Sequence, residues 1–350
     1  MASKHSIWNL NCCRLSWLSG FALMLVFLGP AQDCRSGDGD WSQWRGPNRD
    51  GFVAGADWPS SLSESNLVRS WRVPLGPSYS GPLIVGDRVF VTETVDQKRE
   101  SVKALARSSG ELIWETGWDG AMSVPFFAKA NGDWIRATPI FDSERLYVAG
   151  IRDVLVCLDA ESGKELWRVD FVDRFKTELP SFGFVSSPMV DGDFLFVQAG
   201  GGLVKLEKET GRVVWRVLED GGGMNGSAFS SPTIATLNDQ RQMLVQTRTY
   251  LAGVDLETGA KLWQQSIPAM RGMNILTPTV YKDSVFTSSY GGKTMLVGIG
   301  GSRGGWSATQ KWEQKAEAYM STPVIIGHYA YMHLRNQRFT CIDLDSGEAV

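Results

Sequence analysis

One phrase recurs along the chain: a Ser/Thr-Gly pair followed, four residues after the glycine, by a tryptophan. The complete copies end at Trp114, Trp167, Trp215 and Trp263, and Trp312 follows at the same interval. By subtraction, these tryptophans are 53, 48, 48 and 49 residues apart. A period of roughly 40 to 50 residues with strand-like content is typical of a β-propeller, in which each repeat is one four-stranded blade. The spacing therefore predicts an all-β fold of four-stranded antiparallel blades.

A second phrase lies between the tryptophans and opens each apolar run with a small residue and a proline. Its copies are Gly81-Pro82, Thr138-Pro139, Ser187-Pro188, Ser231-Pro232, Thr277-Pro278 and Thr322-Pro323. Because proline cannot donate a backbone hydrogen bond, it belongs at the start of a strand or on a sheet edge. We therefore assign these runs to strand A, the innermost strand of a blade, and the tryptophan runs to strand D, the outermost.

The glycines of the first phrase belong to the turn between strands C and D. Asp159 to Gly163 is a complete copy, in which aspartate bonds the backbone and glycine supplies a positive φ. Each tryptophan should bury its ring between adjacent blades and find a partner for its indole N–H. The predicted repeat positions are Gly110, Gly163, Gly211, Gly259 and Gly347, with Trp71, Trp114, Trp167, Trp215, Trp263 and Trp312.

These repeats resemble the tryptophan-docking motifs of the pyrroloquinoline quinone (PQQ) propeller superfamily. The closest copies run from Cys157 to Trp167 and from Gly253 to Trp263. The superfamily contains quinoprotein dehydrogenases and cofactor-free scaffolds such as BamB, the outer-membrane assembly lipoprotein. The resemblance therefore implies the fold without deciding the activity. The start Trp41-Ser42-Gln43-Trp44-Arg45-Gly46 is similar to that of secreted PQQ-like propellers of planctomycete-type bacteria.

The two phrases also predict the number of blades. Six strand A phrases and six strand D tryptophans, counting Trp71, make six blade units, and Trp71 would complete the last blade. However, Ser346-Gly347 begins another C–D turn, and the chain stops at Val350 before the next tryptophan. Members of the superfamily usually have seven or eight blades. We therefore expect residues 65–350 to form a propeller with an incomplete last repeat in a truncated chain.

Residues 1–31 have the pattern of a signal peptide. Positive charge at Lys4 and Arg14 precedes a mostly apolar stretch, and small residues precede a cleavage site after Ala31. An uncleaved anchor and lipidation of Cys34 are the alternatives. We predict an exported protein, periplasmic or extracellular, that meets a membrane only through its leader or a lipid anchor.

Residues 32–64 differ in composition from the repeats. A polar, Gly-rich linker is followed by a compact N-terminal segment, and we predict that Trp41 and Trp44 plug one face of the propeller. The formal net charge of the chain is −3, without a Lys/Arg cluster that would indicate nucleic-acid binding. Cys157 and Cys341 occupy the same repeat position in different blades, so no disulfide is expected between them.

The loops from each strand D to the next strand A meet near the propeller axis, where a ligand would bind. Polar and aromatic residues occupy corresponding places in these loops. The candidate binding residues are Arg136, Glu178, Phe182, Asn225, Asn274, Glu317 and Tyr319. One interpretation is that they converge on a small ligand. The other is that they order the loops and solvate the funnel.

A quinoprotein dehydrogenase would need PQQ, Ca²⁺ on oxygen ligands and a carboxylate base. The resemblance implies, for the alcohol dehydrogenase branch, a vicinal disulfide over the quinone, but the propeller region has no adjacent cysteines. Glu178, Asp220 and Glu317 are the acidic residues available for Ca²⁺, and no spaced set of carboxylates identifies them as ligands. The sequence therefore assigns no catalytic or metal residue, and PQQ and Ca²⁺ remain the cofactors to test.

Three functions follow from these patterns. The first is a non-catalytic, exported scaffold that binds an envelope protein, peptide or polymer. The second is a PQQ-dependent oxidoreductase of alcohols or sugars, and the third is a glycan- or polymer-binding module. The missing vicinal disulfide and calcium set favour the first function.

Overall fold

Each proline of the second phrase stands immediately before the first strand of one of six sheets, as predicted. This is seen in a computed structural model that describes residues 39–53, 59–220, 226, 228–302, 305–318 and 320–350. The predicted signal peptide with its cleavage site, Cys34, Asn225 and Tyr319 lie outside the described residues.

Each of the first three blades is an antiparallel meander of four strands in chain order. The strands of these blades are β1 (Leu83–Val85), β2 (Arg88–Val95), β3 (Arg99–Ala106), β4 (Leu112–Asp119); β5 (Ile140–Asp142), β6 (Arg145–Gly150), β7 (Val154–Asp159), β8 (Glu165–Asp170); β9 (Met189–Asp191), β10 (Phe194–Ala199), β11 (Gly202–Glu207) and β12 (Val213–Val217).

The fourth and fifth blades repeat this arrangement, and the sixth sheet contains three strands. The strands of these blades are β13 (Thr233–Leu237), β14 (Gln240–Gln246), β15 (Tyr250–Val254), β16 (Lys261–Ser266); β17 (Thr279–Tyr281), β18 (Ser284–Ser288), β19 (Thr294–Ser302), β20 (Gly305–Gln314); β21 (Val324–Ile326), β22 (Tyr329–His333) and β23 (Phe339–Asp343). The C and D strands of the fifth blade, β19 and β20, are nine and ten residues long.

Among the described residues, helical structure is confined to the loops that lead from one blade to the next. The described part of the chain has one α-helix, α1 (Phe171–Phe175), and two 3-10 turns, Phe126–Asn131 and Met270–Gly272. The Asp170 carboxylate caps α1 by accepting the Asp173 N–H at 2.9 Å. None of these helices has the length and apolar character that a membrane span requires.

The core lies between adjacent blades rather than inside any one of them. One cluster joins Phe90 and Val102 of the first blade to Leu146 and Val156 of the second. Because one face of each sheet packs on the next sheet, burial of these apolar side chains holds neighbouring blades together. Cys157 is buried in the next such cluster, and both it and Cys341 are free thiols.

The tryptophans of strand D lie at these contacts between blades. The Trp114 indole N–H donates to the carbonyl of Ala160 in the following blade at 3.1 Å, and its ring lies against Gly163. Trp167, Trp215 and Trp312 bond to carbonyls of the following blade in the same way. The pattern joins each strand D to the C–D turn of the next blade.

Two tryptophans depart from this pattern. Trp263 is buried between the fourth and fifth blades, but its indole N–H donates to Gln242 of its own blade at 2.6 Å. Trp71 donates to the Arg107 carbonyl at 2.8 Å and lies against Gly110. It thus contacts the first blade in the way that each strand D tryptophan contacts the blade that follows it. Within the described residues, Trp71 belongs to no strand of the sixth sheet.

Candidate functional site

Five hydroxyls join the inner strands into a continuous hydrogen-bonded series, the hydroxyl arc. In each link, the backbone N–H at the start of one blade donates to the Ser or Thr hydroxyl at the start of the next. The links are Gly81 to Thr138, Thr138 to Ser187, Ser187 to Ser231, Ser231 to Thr277 and Thr277 to Thr322, with distances of 2.9 to 3.2 Å. The second phrase therefore supplies a contact between blades as well as the start of a strand.

Residues 41–52, the plug segment, lie against the inner strands of four blades. Trp41 and Ile84 of β1 exchange two backbone hydrogen bonds, and the Ser42 carbonyl accepts the Phe141 N–H of β5 at 2.8 Å. The Arg49 guanidinium donates to the Pro188 carbonyl at 2.9 Å, and that of Arg45 to the Pro323 carbonyl at 2.9 Å. These bonds reach the strands beyond the hydroxyl arc, so the plug segment lies within the channel of the propeller.

Two guanidinium groups lie over the indole ring of Trp44. The central carbon of the Arg45 guanidinium is 5.6 Å from the ring centroid, and that of Arg49 is 5.3 Å away. Burial, followed by repulsion from Arg45, lowers the pKa of Arg49 to about 9. Burial also lowers the pKa of Arg45, an effect that Asp50 opposes. Within the described chain, neither arginine makes an ion pair within 4 Å.

The central cavity has a volume of about 470 Å³ and includes all five hydroxyls of the arc in its wall. The remaining lining residues are Trp44, Arg45, Gly51, Tyr79, Arg136, Val185, Phe229, Ile275, Met320, Ser321 and Val324. Among the described residues, the lining contains two arginines and no carboxylate. Positive charge therefore dominates the cavity.

An aromatic strip leads from the cavity wall to the surface of the inter-blade loops. Phe229 lines the cavity and is 5.6 Å, between centroids, from Phe182. Phe182 is 6.4 Å from Phe127, which is in turn 5.6 Å from Phe126. The side chain of Phe126 is 84% exposed, so the strip ends in an apolar surface.

Of the five predicted binding residues that the structure describes, Arg136 is the one that lines the central cavity, and Phe182 adjoins it through Phe229. The Arg136 guanidinium lies 5.2 Å from the Tyr79 centroid and donates to the Gly132 carbonyl at 2.7 Å. Its Nε is buried and lacks a partner within the described structure, and burial lowers the pKa of Arg136.

Three other predicted residues lie elsewhere. The Asn274 amide is buried and donates to the carbonyls of Thr247, Arg248 and Ile267, so it orders a loop. Glu317 accepts from the Gly291 N–H and from Arg335 in a separate surface cleft. Glu178 is exposed and does not line the central cavity.

The prediction missed the cavity residues that come from outside the inter-blade loops. Trp44 and Arg45 belong to the plug segment, and Tyr79 precedes the first strand. In the sequence, the hydroxyl arc corresponds to a repeated Ser or Thr before proline, a pattern that by itself predicts only a strand start. A polar residue kept at one position in five blades was the signal that could have located the cavity.

The described residues do not fit a calcium-bound quinone. Ca²⁺ requires six to eight oxygen ligands, commonly including carboxylates, whereas the cavity presents Arg45 and Arg136. No group of three or more His, Cys, Asp or Glu side chains suited to a metal ion occurs in the described chain. Asp220, an acidic residue considered for Ca²⁺, is instead paired with Arg248 at 3.0 Å.

Two buried carboxylates bridge blades away from the central cavity. Glu100 accepts the Trp118 indole N–H at 2.8 Å and the Ile151 backbone N–H of the next blade at 2.7 Å. Burial raises its pKa to about 7, against the effect of these donors. Asp153 accepts the Gly200 N–H at 2.8 Å, and burial raises its pKa to about 6.

Comparison with known proteins gives relatives that include an assembly factor and a dehydrogenase. Outer membrane protein assembly factor BamB of Shewanella oneidensis is 22% identical over 73% of this chain and 65% of its own length. Polyvinylalcohol dehydrogenase of a Sphingopyxis species is 24% identical over 56% of this chain and 35% of its own length. The chain thus spans less than two thirds of these relatives.

A solved structure and a family model agree with the fold. The crystal structure of BamB from Moraxella catarrhalis superposes with a TM-score of 0.55 and 17% identity, over 76% of this chain and 70% of that one. The model of the family described as outer membrane protein assembly factor BamB matches residues 98–350. Because this match covers more than half of the sequence, the chain belongs to that family of PQQ-like β-propellers.

Proposed function

We propose that the protein is an exported, non-catalytic scaffold of the cell envelope that binds a protein partner through the face carrying its inter-blade loops. The observation that carries this proposal is the apolar surface around the mouth of the central cavity. Phe126, Phe127, Met270 and Met320 are 84%, 46%, 41% and 51% exposed. Exposed apolar patches that surround a cavity are characteristic of interaction sites, and methionine adapts to varied partners.

The relatives and the sequence support this role. The Shewanella oneidensis relative is named as an outer membrane protein assembly factor. The leader pattern in residues 1–31 would carry the chain out of the cytoplasm. Among the described residues, the lining of the central cavity is positive and contains no carboxylate, which favours binding over calcium-dependent oxidation.

Site-specific photo-crosslinking of the full-length protein in a Gram-negative host tests the scaffold. A photoreactive phenylalanine analogue replaces Phe126 on the loop face or Ile326 in an A–B hairpin on the opposite face; these side chains are 84% and 54% exposed. We expect discrete crosslinks to an envelope protein from position 126, reduced by Phe127→Ser, and none from position 326. Equal labelling from both positions, or none from 126, would contradict the proposal.

Two further measurements test the other parts of the proposal. N-terminal sequencing of the exported protein should give Gln32 as the first residue, whereas an intact leader in the envelope would contradict cleavage. Titration with PQQ and Ca²⁺ should leave the quinone absorbance unchanged. A saturable spectral change with dye-linked oxidation of alcohols or sugars would instead support the oxidoreductase alternative.

A further inference from the structure

The hydroxyl arc leaves five hydrogen-bond donors at the wall of the central cavity. Each hydroxyl oxygen accepts a backbone N–H from the preceding blade, so its own hydrogen is not needed for that bond. No hydroxyl of the arc donates to another group within the described structure, and all five line the cavity. The folded propeller therefore presents a set of O–H donors that an acceptor-rich ligand can satisfy.

Two arginines add charge to these donors. Arg45 and Arg136 line the same cavity, and neither makes an ion pair within 4 Å in the described chain. Asp50 acts to raise the pKa of Arg45, and Asp133 acts to raise that of Arg136. Neither carboxylate lines the cavity. Hydroxyl donors and guanidinium groups facing a common space are the groups that bind a carboxylate by charge-assisted hydrogen bonds.

The position of the plug segment indicates which carboxylate fits. Trp44 and Arg45 lie in the channel beyond the arc, so a ligand entering from the loop face meets the plug segment. A cavity of about 470 Å³ that the plug segment lines at its inner end receives the end of a chain more readily than a segment that must enter and leave. The aromatic strip from Phe229 to Phe126 offers an apolar surface for the residues that follow.

We propose that the central cavity binds the C-terminal carboxylate of a partner polypeptide, with the adjoining apolar side chains of that partner on the aromatic strip. This inference rests on the protein-binding role proposed above. The carboxylate accepts from Arg136, Arg45 and the hydroxyls of the arc, and the apolar side chains explain the exposed rings beside the cavity. Capture of a chain terminus by converging donors is an established mode of peptide recognition.

Paired peptides test the site directly. N-terminally labelled hexapeptides with phenylalanine at the last or penultimate position are made as free acids and as C-terminal amides, and their binding to the full chain is measured by fluorescence anisotropy. We expect saturable binding of free acids, weakening with added salt, and at least about tenfold weaker binding of the matched amides. Equal affinity of acid and amide, or no binding of any free acid, would overturn the proposal.

Matched variants locate the binding on the cavity. Arg136→Gln should weaken binding of the free acid by about tenfold, and Arg136→Lys should lose less because it keeps the charge. Arg335→Gln is the control, since Arg335 lies over Tyr290 as Arg136 lies over Tyr79 but belongs to a separate cleft. Unchanged binding by a folded Arg136→Gln variant would overturn the assignment of the carboxylate to the central cavity. If that variant fails to fold, the comparison of free acids with amides decides whether the carboxylate is recognised.

The same assay separates the carboxylate site from its alternatives. Tighter binding of an oligogalacturonate than of every peptide would overturn the polypeptide assignment and indicate an acidic glycan. Crosslinking from Phe126 together with equal binding of acids and amides would leave the scaffold role intact and remove the carboxylate site. Acetate that competes with the free acid, without affecting the amide, would support the site.

Discussion

The backbone N–H of Ser187 donates to the hydroxyl of Ser231 in the next blade at 2.9 Å. The same bond recurs between successive blades from the first to the sixth, although the loops that precede these serines and threonines differ in length and composition. The inner strands therefore carry a fixed polar contact independent of the loops. Both residues are buried, at 3% and 4% exposure, so this contact affects stability as well as the cavity wall.

Ser231→Ala should destabilise the protein by about 1–3 kcal/mol, because the Ser187 N–H would stay buried without an acceptor. Ser231→Thr keeps the hydroxyl and should cost less. Chemical denaturation at neutral pH measures both. Equal unfolding free energies for Ser231→Ala and the wild type would show that the inter-blade bond contributes nothing to stability.

A glycine pair separates the tryptophan contact from backbone strain. A Cβ at Gly163 would lie 2.5 Å from Cε3 of Trp114, whereas a Cβ at Gly192 would meet nothing within 4 Å. Both glycines have positive φ, at 73° and 56°. Gly163→Ala should therefore destabilise the protein by about 1–3 kcal/mol more than Gly192→Ala. Similar melting temperatures for the two variants would contradict the importance of the ring contact.

The blades could be predicted because the residues that form them recur. Proline must begin or border a strand, and β1, β5 and β9 each begin at the residue directly after a proline. The tryptophans recur because each strand D meets the same turn of the following blade. Repetition makes these local requirements visible without knowledge of distant contacts.

The site could be predicted only in part, because its members come from segments that do not repeat. Arg136 reaches the cavity while Asn274, from a corresponding loop, turns inward to bond three carbonyls. Loop length and local hydrogen bonding decide such directions, and periodicity carries no information about them. The role of the plug segment depends on contacts separated by as many as 278 residues, as between Arg45 and Pro323.

Glu100 should make stability depend on pH. Its pKa is about 7 in the folded protein, against an ordinary value of 4.5, so between these values the folded state binds more protons than the unfolded state. Stability from this group is thus greatest below pH 4.5 and falls as the pH rises to about 7. The predicted change is about 3 kcal/mol.

Unfolding free energies of wild type and Glu100→Gln across pH 4.5 to 8 isolate this contribution, since other titrating groups cancel in the difference. The stability of the wild type relative to the variant should fall as the pH rises. Glu178→Gln, at an exposed position, should run parallel to the wild type. A constant difference between wild type and Glu100→Gln would mean that Glu100 does not titrate in this range.

Asn274→Asp should destabilise the protein by about 3 kcal/mol or more above neutral pH. The Asn274 Nδ2 donates to three carbonyls within 3.1 Å, so a carboxylate there would face three acceptors in a buried site. Asn274→Ala should cost about 1–3 kcal/mol because the carbonyls lose their donor. Asn336→Asp, at an exposed turn, is the control. Wild-type melting of Asn274→Asp at pH 8 would contradict this loop-ordering role and return Asn274 to the set of candidate ligand residues.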